Sequence, residues 1–253
     1  MPRFFVSKEQ IRDGIVLIGG EDANHISRSL RMKTGDAITV SDGTGTEYDC
    51  ILDEFTADSV CARVTDTHPS DREPPFRAHL YQALPKGEKL DLIIQKAVEC
   101  GVYDVTPFES EYCVVRMKAD AEEKKTVRRQ RIALEAAKQC GRGIIPRVYQ
   151  TVSFSEMMAR AKVADIPLFC YEGQGTVSLR TCLKEAFTRL AENHPDRVPE
   201  IAIVIGSEGG FSGNEAESAR KSGLIPVGLG PRILRTETAS GMVLSCLIYE
   251  TEL

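Results

Sequence analysis

The pattern of apolar and polar positions divides the chain into two parts. In the first part, four short runs have the alternation that predicts β-strands: residues 14–18, 37–41, 47–52 and 59–64. Asp42-Gly43-Thr44-Gly45 has the composition of a hairpin turn, whereas residues 21–32 have helical spacing. The first part therefore predicts a small β-barrel or sandwich with one helix.

The second part alternates buried strands with helices. The predicted strands cover residues 79–84, 104–108, 167–171, 201–205 and 226–229. The predicted helices cover residues 88–100, 122–140, 155–161, 181–192, 212–222 and 236–251. Strands that alternate with helices form mostly parallel sheets covered by helices, so the predicted fold class is α/β.

A proline-rich junction at residues 68–75 separates the two patterns and favours an extended connection. We therefore predict two domains, residues 1–72 and residues 73–253. Charge changes at the same place: residues 1–72 carry 8 basic and 13 acidic side chains, whereas residues 73–253 carry 24 of each.

Composition narrows the class of protein. The 253 residues are 42% hydrophobic and 27% charged, which is typical of a globular protein. No run approaches the roughly 20 apolar residues that span a bilayer, and the first ten residues lack the apolar region of a secretory signal, so we expect a cytoplasmic protein without a membrane partner. The eight cysteines are scattered without a CxxC pair, and only four histidines occur, so we expect no metal.

Two glycine-rich loops follow predicted strands of the second part. Residues 206–210 (GSEGG) follow the strand at 201–205, and residues 228–230 (GLG) end the strand at 226–229. Ser212 and Glu215 have capping-box spacing, which places a helix start directly after the first loop. One such loop alone is more typical of a tight turn without a ligand. Two loops at the carboxyl ends of parallel strands favour a ligand site.

Basic side chains cluster at residues 116–147, which carry ten basic and four acidic residues. A helix would bring Lys124, Arg128, Arg131, Lys138 and Arg142 close to one face. Such a stripe can neutralise phosphates, although a solvated helix face has the same pattern. Lys86 and Lys89, after the first strand of the second part, have the same two interpretations. The predicted helix of the first part carries His25, Arg28 and Arg31 on a polar side.

Several strings together resemble the ribosomal RNA small subunit methyltransferase E family over essentially the whole chain. They are residues 24–31 (NHISRSLR), 84–89 (LPKGEK), 94–102 (IQKAVECGV), 135–142 (EAAKQCGR), 206–212 (GSEGGFS) and 229–238 (LGPRILRTET). The chain departs from the family pattern at Ser207, where proline is usual, and at Ser110-Glu111-Tyr112, where the family commonly has arginine.

The resemblance implies a PUA-like RNA-binding β-barrel followed by a SPOUT methyltransferase domain with a trefoil knot, assembled as a homodimer. It implies methylation of N3 of a specific uridine of 16S rRNA in the 30S ribosomal subunit, with S-adenosylmethionine as cofactor. A SPOUT enzyme that methylates a ribose 2′-hydroxyl or another base, and a non-catalytic ribosome-assembly factor that binds RNA, are the alternatives.

On this resemblance we expect three sets of site residues. Arg235 would stabilise the deprotonated uracil, with Glu237 or Thr236 orienting it or relaying the proton. The expected cofactor-binding residues are Gly206, Glu208, Gly209, Gly210, Leu229, Gly230, Ile233 and Leu234. The expected RNA-binding residues are His25, Arg28, Arg31, Lys86, Arg128 and Arg142.

Overall fold

The computed structural model describes residues 1–116 and 119–253, so Lys118 of the basic stretch lies outside the described residues. These residues divide into two compact units. The N-terminal unit contains Met1–Glu73 and Ala137–Ile145, and the C-terminal unit contains Pro74–Ala136 and Pro146–Leu253. The N-terminal unit thus includes a segment that lies far along the chain from its sheet.

The N-terminal unit is built on a six-stranded sheet whose order is β1-β4-β5-β6-β3-β2. Its strands are β1 (Arg3–Phe5), β2 (Ile11–Arg12), β3 (Ile15–Gly19), β4 (Ala37–Ser41), β5 (Thr46–Phe55) and β6 (Ser59–Pro69). Strand β1 is parallel to β4, and the other pairs are antiparallel. Alternate residues such as Val16, Ile18, Ile38, Val40 and Leu52 are buried and form the core, as the alternating pattern predicts.

The predicted hairpin turn at residues 42–45 is confirmed, because it joins the antiparallel strands β4 and β5. The Asp42 carboxylate accepts hydrogen bonds from the backbone amides of Thr44 (2.7 Å) and Thr46 (3.2 Å). Gly43 and Gly45 have φ values of 73° and 104°, which glycine adopts without strain. The turn chemistry therefore fixes the register of the hairpin.

The predicted helix at residues 21–32 is wrong in its length. The structure has a short helix α1 (Gly20–Asn24) that continues as a single π-turn (His25–Ser29). The turn buries Ile26 completely, and Arg31 then takes a left-handed backbone with φ of 54°. His25 and Arg28 of the π-turn and Arg31 just after it are exposed, whereas Ile26 is buried between them.

A buried ion pair holds Ala137–Ile145 within the N-terminal unit. Arg142 Nη2 lies 2.6 Å from Glu73 Oε2, and Glu73 Oε1 accepts hydrogen bonds from the backbone amides of Gly143 and Ile144. Gly141, with φ of 76°, ends the preceding helix at Cys140, so Arg142 does not continue the basic helical stripe.

The C-terminal unit is an eight-stranded sheet in which every pairing of the described strands is parallel. Its order is β10-β8-β7-β13-β11-β14-β12, with β9 pairing β8. The strands are β7 (Arg77–Ala83), β8 (Asp104–Glu109), β9 (Arg147–Val148), β10 (Val152–Ser153), β11 (Ile166–Cys170), β12 (Val177–Ser178), β13 (Glu200–Ile205) and β14 (Ile225–Gly228). The predicted α/β class is confirmed.

Six helices accompany this sheet. They are α2 (Lys89–Glu99), α3 (Ala119–Cys140), α4 (Phe154–Ala161), α5 (Leu179–Asn193), α6 (Gly213–Lys221) and α7 (Thr236–Thr251). Strands β7, β13, β11 and β14 lie side by side, and Gln82 near the end of β7 is in register with Ile205 at the end of β13. The loops that follow these four strands therefore meet at one edge of the sheet.

Candidate active site

One pocket, with a volume of about 220 Å³, opens where three of these loops meet. Each loop follows a central parallel strand: β11, β13 or β14. The lining residues are Cys170, Tyr171, Glu172, Thr176, Ile205, Gly206, Ser207, Gly210, Phe211, Gly228, Leu229, Gly230, Pro231, Arg232, Ile233, Leu234, Thr236 and Ala239. The two loops singled out in the sequence thus share one pocket at the carboxyl edge of the sheet.

Six of the eight expected cofactor-binding residues line this pocket: Gly206, Gly210, Leu229, Gly230, Ile233 and Leu234. Glu208 and Gly209 are not among the lining residues. A Cβ atom at Gly209 would lie only 2.8 Å from Cβ of Tyr112, so this glycine makes room for Tyr112. The family departure at residues 110–112 therefore contacts the glycine loop directly.

The loop after β11 was missed by the sequence analysis. It brings the carboxylate of Glu172 to the pocket, and a Cβ atom at Gly210 would lie 3.0 Å from Glu172 Oε1. An acidic residue followed by glycine directly after a buried strand is the feature that marked Glu208. The same criterion applied to Glu172-Gly173 would have found this loop.

Aromatic packing and a helix cap fix the loop after β13. The Phe211 ring lies 4.3 Å from the Phe169 ring and stacks on the Phe108 ring at 6.3 Å, measured between centroids. The predicted capping box is confirmed: Ser212 Oγ accepts from the amide of Glu215, whose carboxylate accepts from the amide of Ser212. The loop therefore enters α6 at a defined residue.

A buried hydrogen-bonded tie joins three segments beneath the pocket. Thr236 Oγ1 donates to the carbonyl oxygen of Gly206 (2.6 Å), and Gln82 Nε2 donates to Thr236 Oγ1 (2.9 Å). The Thr236 hydroxyl is thus hydrogen-bonded to Gly206, and its expected role in orienting or proton relay stays a prediction. Gln82 was also missed, although an amide in the otherwise apolar end of β7 is unusual in a buried strand.

A charged cluster lies beside the pocket at the start of α2 and α7. Lys89 Nζ is 3.0 Å from Glu208 Oε1 and 3.4 Å from Glu237 Oε2. The backbone amide of Lys86 also donates to Glu208 at 3.1 Å. Glu208 is therefore held by the loop before α2, which is why it does not face the pocket.

The charges in this cluster support one another. Burial disfavours ionisation of Glu208, but the hydrogen bonds from Lys89 and Lys86 outweigh it and hold the pKa of Glu208 below its usual value. The hydrogen bond to Glu208, together with the nearby Glu237 carboxylate, raises the pKa of Lys89. Lys89 is thus an ammonium ion between carboxylates near neutral pH.

Arg235 lies at the N-cap of α7, next to the pocket residues Leu234 and Thr236. Its side chain is 82% exposed, and its Nη1 atom is 4.0 Å from Glu237 Oε1. Among the described residues, Glu237 is its ion-pair partner. Most of the guanidinium's donors therefore face solvent beside the pocket.

The six residues expected to bind RNA fall into different environments. His25, Arg28 and Arg31 are exposed on the N-terminal unit, and Lys86 is exposed on the C-terminal unit. Arg128 is exposed but pairs with Asp91 at 2.6 Å. Arg142 is buried in its pair with Glu73, so its expected RNA contact is not consistent with the structure.

The described residues contain neither a metal-binding cluster nor a helix that could span a membrane. Within residues 1–116 and 119–253, no group of three or more His, Cys, Asp or Glu side chains is arranged to hold a metal ion. None of the helices in the same part of the chain combines the length and apolarity needed to cross a membrane.

Comparison with protein families defines the class. Residues 72–248 match a family described as an RNA methyltransferase domain, and residues 18–65 match an RNA methyltransferase PUA domain. The chain thus combines the two modules of an RNA methyltransferase.

Individual relatives define the family. The ribosomal RNA small subunit methyltransferase E of Bacillus subtilis is 36% identical over 259 residues, which covers 100% of this chain and 98% of that protein. The same enzyme from Neisseria gonorrhoeae, solved bound to S-adenosyl methionine, is 26% identical with a TM-score of 0.79 over 99% of this chain and 98% of that one. A Legionella pneumophila structure with bound SAM is 30% identical, with a TM-score of 0.78 over 98% and 97% of the two chains. This chain belongs to the ribosomal RNA small subunit methyltransferase E family.

Proposed function

We propose that this protein transfers a methyl group from S-adenosylmethionine to N3 of a uridine in the 16S rRNA of the small ribosomal subunit. The observation that carries this proposal is the pocket formed by the loops after β11, β13 and β14, with the exposed Arg235 beside it. Relatives of similar length carry the methyltransferase name, and two similar structures were solved with this cofactor.

The lining residues suit this cofactor. Leu229, Ile233 and Leu234 offer apolar surface to an adenine ring, and the glycines at 206, 210 and 230 leave the backbone open to polar groups. Glu172 is the acidic side chain and Arg232 the basic side chain among the lining residues, which matches the opposite charges of an amino-acid group. When bound, the cofactor supplies an electrophilic methyl group on a sulfonium sulfur.

The remaining chemistry concerns the proton on uridine N3. The nitrogen attacks the methyl carbon as its N–H bond is lost; the new N–C bond forms while the C–S bond breaks, and the electron pair stays on sulfur as a thioether. Arg235 is suited to stabilise the negative charge that develops on the uracil, because its donors face solvent beside the pocket. Glu237 orients Arg235 or accepts the proton.

RNA binding is assigned to exposed basic side chains. We propose that His25, Arg28 and Arg31 on the N-terminal unit and Lys86 and Arg128 on the C-terminal unit contact phosphates. Arg142 is removed from this set because it is buried with Glu73. The N-terminal unit is otherwise acidic, so its RNA contact is confined to a narrow strip.

Assembly and location follow from the same proposal. Helix α7 exposes apolar surface, including Tyr249 at 72%, and Ile233 before it is 85% exposed. Apolar surface of this kind fits a second copy of the chain, so we propose a homodimer. The trefoil knot and a cytoplasmic location, where ribosomal subunits are assembled, belong to the proposal as well.

The test is methyl transfer followed by nucleoside analysis. The purified protein is given labelled S-adenosylmethionine and 30S subunits that lack the modification, and the RNA is digested. Label in 3-methyluridine is the expected result, and Arg235→Ala should lower turnover by roughly 100–1000-fold, as for loss of one donor to a developing anion. Arg180→Ala, an exposed arginine on α5, is the matched control.

Other results have defined meanings. Label in a 2′-O-methyl nucleoside or in another base assigns the alternative SPOUT reaction. The absence of transfer, with cofactor and RNA still bound, assigns a non-catalytic RNA-binding protein. Full activity of Arg235→Ala refutes the assignment of Arg235 alone.

A further inference from the structure

The proposed reaction requires a defined position for Arg235, yet this side chain is largely exposed and its ion pair with Glu237 is long, at 4.0 Å. We propose that Lys89 is a positioning residue for methyl transfer: its ammonium group holds the Glu208 and Glu237 carboxylates and, through Glu237, fixes the Arg235 guanidinium beside the pocket. This inference rests on the proposed function. Lys89 itself is not a lining residue of the pocket.

Glu237 is a mostly buried carboxylate. Its side chain is only 18% exposed, and its Oε2 atom is buried without a hydrogen bond among the described residues. A carboxylate in this position needs a nearby cation, because water no longer solvates it fully. Lys89 at 3.4 Å is nearer than Arg235 at 4.0 Å, so the ammonium supplies most of the compensation.

Lys89 and Arg235 compete for the Glu237 carboxylate. With Lys89 in place, the charge of Glu237 is compensated by the ammonium, and Arg235 keeps its donors for the substrate. Without Lys89, the same carboxylate attracts Arg235 more strongly, because it then has one cation instead of two. The guanidinium would move towards Glu237 and away from the uracil, even though Lys89 never touches the reacting atoms.

Lys89 also connects separate elements of the site. Lys89 opens α2, Glu208 lies in the loop after β13, and Glu237 lies in the first turn of α7. Gln82 and Thr236 already join the end of β7, the loop after β13 and the start of α7 in the interior. Lys89 joins the side chains of Glu208 and Glu237 at the rim. The interior hydrogen bonds therefore hold the segments together, and the ammonium holds the two carboxylates in place.

The experiment compares Lys89→Met and Lys89→Arg with Lys96→Met, in the full-length protein with 30S subunits. Lys96 lies on the same helix, is exposed and pairs with Glu99 at 2.9 Å, so its replacement removes an equivalent charge away from the site. Lys89→Met should lower kcat by about 10–100-fold, the range seen when a supporting contact misplaces a functional group. KM for the subunit and Kd for S-adenosylmethionine should stay within about twofold, Lys89→Arg should restore most of the rate, and Lys96→Met should behave as the wild type.

A double-variant comparison shows whether Lys89 acts through Glu237. The kcat of Lys89→Met with Glu237→Gln should be no lower than that of the slower single variant, since both changes break the same chain of contacts. If the losses in kcat of the two single variants multiply in the double variant, Lys89 and Glu237 act independently and the inference is wrong. A thermal melt of each variant separates loss of folding from loss of positioning.

Three further outcomes contradict the inference. If Lys89→Met has the kcat of the wild type, the Lys89 ammonium has no role in the reaction. A raised KM with a smaller salt dependence identifies Lys89 as a phosphate contact, and a weakened Kd for the cofactor identifies it as part of the pocket. If the wild-type protein transfers no methyl group, the proposed function fails first, whereas an active wild type with unaffected Lys89 variants defeats only this inference.

Discussion

At the scale of single residues, the pocket depends on a glycine that no other residue replaces easily. Gly210 has φ of 66°, and a Cβ atom there would approach Glu172 Oε1 to 3.0 Å. Gly213, three residues later, has open space around the position of its missing Cβ atom. Gly210 and Gly213 can therefore be compared directly. Only Gly210 combines a positive φ with a close neighbour at the position of the missing Cβ atom.

We predict that Gly210→Ala destabilises the protein by about 1–3 kcal/mol and weakens cofactor binding, because alanine at positive φ is strained and displaces Glu172. Gly213→Ala should be neutral or stabilising by up to about 1 kcal/mol, since it lowers the entropy of the unfolded chain. Urea unfolding and a cofactor titration measure the two effects. Equal stability of both variants would show that the loop tolerates an ordinary backbone.

The residues that belong to the site were more predictable than the groups that those residues contact. The glycine strings located Gly206, Gly210 and Gly230, because glycine directly after a buried strand is typical of a sharp turn or a close approach to a ligand. The direction of Glu208 was not predictable, because it depends on Lys89 and the Lys86 amide, more than 100 positions earlier in the chain. Arg142 was misassigned for the same reason: its partner Glu73 lies 69 positions away.

At the scale of elements, a partly buried histidine joins three strands at the edge of the sheet opposite the pocket. His79 of β7 contacts Asp104 of β8 through Nδ1 (2.9 Å) and Glu200 of β13 through Nε2 (2.5 Å). Burial alone would lower the pKa of His79, but the two carboxylates outweigh it and raise the pKa to about 9. The central strands are therefore held together by a charged imidazolium.

We predict a loss of stability at alkaline pH. The folded-state pKa of His79 is about 9 against 6.5 in the unfolded chain, so its contribution is complete below pH 6.5 and disappears as pH rises through about 9. The contribution is at most on the order of 3 kcal/mol. Urea unfolding of the wild type and His79→Gln across this range measures it.

The difference between the two free energies of unfolding should shrink as the pH rises. A constant difference from pH 6.5 to pH 9 would mean that His79 is neutral in the folded protein.

The hydrophobic periodicity predicted which helices and strands are present better than it predicted where they end and which of their residues are buried. The buried strand at 201–205 and the capped helix α6 follow from local signals, so both were predicted within a residue or two. The helix at 21–32 was overextended, because Ile26 and Leu30 keep helical spacing although the chain widens into a π-turn after Asn24. Local spacing does not show that Ile26 is buried whereas Leu30 is exposed.

At the scale of the whole molecule, sheet order and unit membership were the least predictable features. The central order β7-β13-β11-β14 brings together strands that are not consecutive in sequence, and no local pattern encodes it. Ala137–Ile145 joins the N-terminal unit through Glu73, although it begins with the last turn of α3, a helix that otherwise belongs to the C-terminal unit. Both features arise from long-range pairing, which hydrophobic spacing does not report.

The balance of acidic and basic side chains is also a feature of the whole molecule. The 13 acidic side chains of residues 1–72 outnumber the 8 basic ones, so a general attraction of this region to RNA is not expected. Within the described residues, neither Arg28 nor Arg31 forms an ion pair, and both are exposed in one short segment. Arg12 and Arg63 are exposed on the same unit but belong to β2 and β6.

We predict that Arg28→Glu with Arg31→Glu weakens binding to 30S subunits and reduces the slope of log affinity against log salt by about 1–2, because two phosphate contacts are lost. Affinity for S-adenosylmethionine should not change, since neither residue lines the pocket. Arg12→Glu with Arg63→Glu changes the net charge equally and should have a smaller effect on RNA. Equal losses in both double variants would mean that RNA responds to total charge alone, and a parallel loss of cofactor affinity would mean that the reversed charges disturb the fold.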